Sequence, residues 1–188
     1  MKTFAIALLA AALAVPVANA ATVWDESVNG DLSSSEAAPT SIALAVGSNV
    51  LSGTVNGLPL DRDYITFTIP AGFVLSAMNL ATFSPDNLAF SSFNTGSTSY
   101  IPSGATNGLF LSGIHITSAD IGFNLLTFFD TRNVTTNSLP SPSLGAGTYS
   151  WLIQQTSPIV QAWKVDMILQ GVVATEPTTW GKVKSLYR

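Results

Sequence analysis

The chain has 188 residues, a formal net charge of −4 and no cysteine. That length suits one domain with a core of its own. The missing cysteines exclude disulfide staples and thiolate metal sites, and the acidic balance argues against nucleic acid, whose phosphates call for a basic surface.

The N-terminus reads as an export signal. Lys2 precedes an apolar run from Phe4 to Val15, and Ala18-Asn19-Ala20 is a small-x-small cleavage pattern. The run is too short to span a bilayer. Residues 1–20 are therefore expected to be removed. The mature chain then starts at Ala21 without a transmembrane anchor and is exported to the periplasm, the cell surface or beyond.

Residues 21–40 follow as a polar, acidic, Ser-rich leader, either flexible or an edge element. Within it, Asp25-Glu26-Ser27-Val28-Asn29-Gly30-Asp31 gathers three acids and an asparagine. Residues 41–175 carry short β-rich runs broken by Gly, Pro, Asn and Ser, with almost no helical periodicity. That is the pattern of an all-β sandwich. Strands are expected at 41–46, 50–55, 64–69, 73–83, 88–93, 109–116, 125–129, 148–155 and 163–172. Gly47-Ser48-Asn49, Pro70-Ala71-Gly72 and Ser84-Pro85-Asp86-Asn87 read as turns. Loops 94–107 and 131–147 are long, rich in small polar residues, and the usual place for binding function on such a scaffold.

The tail differs. A Thr N-cap at Thr178 or Thr179 is followed by Trp180, Val183, Leu186 and Tyr187 at helical spacing. Lys182, Lys184 and Arg188 sit toward the C-terminal end, where the helix dipole favours cations. Residues 176–188 thus read as a short basic amphipathic helix. So short a helix needs a surface to dock on. Trp180, Lys182, Lys184 and Tyr187 are its candidate docking residues, either on this domain or on another component.

Catalytic chemistry is sparse. His115 is the only histidine and sits in a strand-like context, and no serine lies in a G-x-S-x-G elbow. Zinc usually needs more His or Cys than this. A pair drawn from Asp61, Asp63, Asp86 and Asp120 could in principle serve glycoside hydrolysis, but these acids lie in polar, turn-like contexts rather than an apolar cleft. The chain is read as a non-enzyme.

Calcium suits the donors better. Asp61-Arg62-Asp63 places two carboxylates at the mouth of the alternating strand Tyr64-Ile65-Thr66-Phe67-Thr68-Ile69. Calcium takes six to eight oxygens in flexible geometry. If the leader packs near that strand entrance, the two acidic groups could share one ion. The plainer alternative is that these acids only solubilise turns and blunt sheet edges. The aromatics also have two readings. Tyr149, Trp151 and Trp163 either pack the core or expose a sugar-binding platform.

The leader motif, the Asp61 to Gly72 segment and Leu144-Gly145-Ala146-Gly147-Thr148-Tyr149-Ser150-Trp151-Leu152-Ile153-Gln154-Gln155-Thr156 together resemble a group of exported bacterial proteins. Many of that group carry a PEP-CTERM sorting tail, and the last two motifs also resemble pre-peptidase C-terminal (PPC-like) β-sandwich domains. The usual Pro-Glu-Pro tail is missing, and a Trp-Gly-x-x-Lys ending stands in its place. The resemblance implies one non-catalytic, jelly-roll-like antiparallel sandwich followed by the short C-terminal helix. It also implies calcium held between the acidic linker and the strand entrance, on Asp25, Glu26, Asn29, Asp31, Asp61 and Asp63. The function expected is a structural or adhesive component of a surface or extracellular matrix. The alternative is a carbohydrate-binding module. A glycan or a matrix component is the expected partner.

Overall fold

The structure is a computed structural model that describes residues 20–85 and 88–172. Asp86, Asn87 and the tail with Trp180, Lys182, Lys184 and Tyr187 lie outside the described residues.

The chain is all-β and mainly antiparallel. In chain order it runs through β1 (Ala21–Asp25), α1 (Glu26–Asn29), β2 (Thr40–Ser41), β3 (Gly47–Gly57), β4 (Leu60–Ile69) and β5 (Phe73–Ser84). It continues through β6 (Ala89–Thr95), β7 (Ser112–Ile116), α2 (Leu125–Thr131), β8 (Gly147–Gln155) and β9 (Gln161–Gly171). One sheet carries β1, β3, β9 and β5 in that order. The other carries β2, β4, β8, β6 and β7. The β3–β4 hairpin joins them through Asn56↔Asp61 and Gly57↔Leu60.

The alternation expected for residues 64–69 is not what β4 shows, because residues 63–67 are buried on both faces; clear inward and outward faces belong to β9 and β3. In β9, Gln161, Trp163, Val165, Met167 and Leu169 are buried while Ala162 and Lys164 are exposed. In β3, Leu51, Gly53 and Val55 turn inward. The facing layers meet at Trp151 of β8 and Trp163 of β9, whose rings pack edge to face with centroids 5.2 Å apart. Both indoles are buried. They are core, so the sugar platform on Trp151 and Trp163 does not exist. Tyr149 is half-buried and tilts against Phe67 instead.

Three expected elements differ. Residues 125–129 form helix α2, not a strand. Asn124 caps it, its Oδ1 accepting from Leu126 N, and Leu125, Leu126 and Phe129 share its buried face. Between 41 and 46 only Ser41 pairs in a strand. The expected turn at Gly47-Ser48-Asn49 already belongs to β3. Buried Asn49 there donates to the carbonyls of Ala45, Gly47 and Met167.

The leader is an edge element. β1 lies parallel to β3 with Ala21↔Asn49 and Asp25↔Ser52, and its register shifts between Thr22 and Trp24. A parallel edge strand needs a fastening beyond its own short ladder, and the residues just after it supply one.

Candidate metal centre

Helix α1 follows β1 directly. Asp25 is its N-cap, with Oδ1 accepting from Ser27 N (3.0 Å) and Ser27 Oγ (2.6 Å). Those bonds hold the Asp25 carboxyl below the usual carboxylate range. Asn29 closes the turn, its Oδ1 accepting from Asp25 N at 2.9 Å. Both side chains are therefore committed to local capping.

Glu26, the first helical residue, points back to the sheet. Its Oε1 accepts from Leu32 N (3.1 Å) and its Oε2 from Thr54 N (2.7 Å) and Thr54 Oγ1 (3.3 Å). A single carboxylate thus fastens the leader to β3. Gly53 makes this possible, because a Cβ there would sit 2.7 Å from Glu26 Cδ. A glycine inside a strand often marks such a close approach.

Asp63 lies on β4, in the opposite sheet, and is fully buried. Its Oδ2 accepts from Trp163 Nε1 at 2.7 Å, across the sandwich. Its Oδ1 is buried and meets no nitrogen or hydroxyl donor; the group beside it is the Glu26 carboxyl. Burial pushes the Asp63 carboxyl well above its ordinary range, and the negative charge of Glu26 pushes the same way. Glu26 is raised too, first by burial and against the pull of its backbone donors. The two acids are close enough to share a proton when one of them is protonated. With both ionised, nothing compensates Asp63 Oδ1.

Asp31 completes the group. Glu26, Asp31 and Asp63 each place one carboxylate oxygen so that all three lie within 4.8 Å of one another. Two oxygens bound at about 2.4 Å to one calcium can be at most about 4.8 Å apart. The all-oxygen, all-carboxylate donor set fits a hard divalent ion, and the orphaned Asp63 oxygen is the kind of atom that such an ion would satisfy. Glu26 and Asp31 line a cleft of roughly 550 Å³; Asp63 is buried and does not line it.

Of the six predicted ligands, the fold brings together Glu26, Asp31 and Asp63. Asp25 and Asn29 are spent on the α1 cap. Asp61 stands apart, accepting from Ser34 Oγ at 3.3 Å, and is raised by burial and by the nearby Asp31 charge. Gly53 and the Trp163 indole were missed as parts of the site. The signal for Gly53 was a glycine interrupting the run from Val50 to Val55; nothing in the sequence pairs Trp163 with Asp63.

The other candidates resolve separately. Asp120 is tied into a capping box with Thr117 and an ion pair with Arg132 at 2.7 Å. His115 is exposed on β7 against Phe90, with ring centroids 6.1 Å apart. No helix among the described residues is long and apolar enough to cross a membrane.

No family model matches the chain, and neither does any curated protein. Among solved structures, it is similar to PliG from Salmonella Typhimurium, a periplasmic lysozyme inhibitor of g-type lysozyme. The two share 13% identity over 70% of this chain and 98% of that one, with a TM-score of 0.35. So loose a likeness carries no argument about this chain.

Proposed function

We propose that this chain is a non-catalytic, exported β-sandwich of the pre-peptidase C-terminal type, serving as a structural or adhesive component of a bacterial surface or matrix. Calcium bound by Glu26, Asp31 and Asp63 fastens its N-terminal segment to the two sheets. The observation that carries this reading is Asp63: a fully buried acid, one of whose oxygens meets no nitrogen or hydroxyl donor, with carboxylate oxygens of Glu26 and Asp31 within 4.8 Å. A buried charge is costly unless it is paired or holds a metal.

The same acids suit catalysis poorly. A general acid or base must reach the bond it acts on. Asp63 is fully buried and accepts from Trp163 Nε1, and both Glu26 oxygens already accept backbone N–H groups. At the cleft wall Asp31 is exposed and Glu26 half-buried.

Thermal unfolding in EDTA and in millimolar calcium tests the proposal. Wild type should melt higher in calcium, by the linkage a bound ion imposes. Asp63→Asn should lose that response, and in EDTA its midpoint should fall less steeply with rising pH than that of wild type, because the amide cannot ionise. Identical midpoints for wild type with and without calcium would sink the proposal.

A further inference from the structure

We propose that the cleft over the acid cluster binds a neutral glycan, whose adjacent hydroxyls complete the coordination of the bound cation; this rests on the cation reading above. The ion needs more oxygens than the protein supplies. Glu26, Asp31 and Asp63 offer one oxygen each at the common point. Calcium takes six to eight. Asp63 is fully buried, whereas Glu26 and Asp31 open on the cleft. The missing ligands must therefore come from the cleft side. Its volume of roughly 550 Å³ falls in the range of small-molecule sites.

The cleft wall is polar in an ordered way. Strand register aligns Ser52 of β3 with Lys164 of β9, and Lys164 with Thr82 of β5. All three line the cleft. Two hydroxyls and one ammonium in a row across three strands offer hydrogen bonds suited to a polyhydroxylated ring.

Charge decides between neutral and acidic sugars. Asp25, Glu26 and Asp31 line the cleft, and the buried Asp63 adds to them, against Lys164. A divalent cation leaves this set with a small net negative charge, which disfavours a carboxylate and leaves hydroxyl pairs as the better ligand. The aromatic platform expected from the sequence is thus replaced by a metal and a polar row.

The test runs in two steps. Calorimetric titration of EDTA-stripped protein with calcium chloride comes first; no binding there removes the cation reading and this proposal with it. Calcium-loaded protein is then screened on an array of neutral glycans, in calcium and in EDTA. The expected result is binding that needs calcium. Thr82→Val should weaken it about threefold to tenfold, the worth of one neutral hydrogen bond, with calcium affinity unchanged. Calcium binding with no neutral glycan retained, or glycan binding that persists in EDTA, overturns this proposal and leaves the structural cation standing.

Discussion

Asp63 and Trp163 show how one pair of side chains can couple two sheets. Trp163 fills the core and stacks edge to face on Trp151, while its Nε1 donates to Asp63 Oδ2 at 2.7 Å. Its apolar body and its single polar atom therefore do separate work. Trp163→Phe keeps most of the ring but strips Asp63 Oδ2 of the indole N–H that it accepts from. Leaving a buried acceptor unmet costs about 1–3 kcal/mol, more for a charged one. The expected outcome is a lower urea midpoint with an unchanged slope. A Phe variant as stable as wild type would mean that this bond contributes nothing. Such pairing is invisible in the sequence, because the partners are 100 positions apart and Trp163 reads as ordinary core.

The elements whose alternation is strong were legible. Strand β9 is such an element, with buried residues alternating with exposed or half-buried ones; β4 and β8 were found from their β-rich composition instead, since residues 63–67 and 150–155 are buried without a break. Residues 125–129 were misread because Leu-Leu-Thr-Phe-Phe is apolar, aromatic and short, a run whose period decides nothing. The asparagine before it was the available cue, since Asn124 caps α2. The β3–β4 corner depends on another glycine. A Cβ at Gly57 would collide with the backbone of Thr156 and Ser157, and Gly57 N donates to Ser157 O at 2.8 Å. Unlike the carboxylate beside Gly53, that backbone cannot swing aside. Gly57→Ala should therefore destabilise by about 1–3 kcal/mol, the usual cost of overpacking, measurable by denaturant unfolding. A neutral substitution would show that the corner yields.

Across the whole molecule, the acid cluster links the N-terminal segment to both sheets, since Glu26 bonds β3 and Asp63 sits on β4. The sequence placed acids at the leader and at the strand entrance. Which three of the six would converge depended on the α1 cap consuming Asp25 and Asn29, a tertiary outcome no spacing encodes. The cluster also sets a pH dependence. Asp63 and Glu26 are both raised in the folded chain above the ordinary carboxylate range, chiefly by burial. The metal-free folded state thus holds more protons than the unfolded one, and its stability falls as pH rises through this interval. In EDTA the melting midpoint should drop as pH climbs from about 4 toward neutrality, while saturating calcium should flatten the fall, since an ion replaces the proton. A midpoint that rises with pH in EDTA would contradict the cluster's assigned burial.

The central claim is that Glu26, Asp31 and Asp63 hold one divalent ion. Calorimetric titration of calcium chloride into the EDTA-stripped protein at neutral pH measures it directly. The expected result is a saturable isotherm with one ion per chain, abolished in Asp63→Asn. A flat isotherm for wild type, or an unchanged one for the variant, would contradict it.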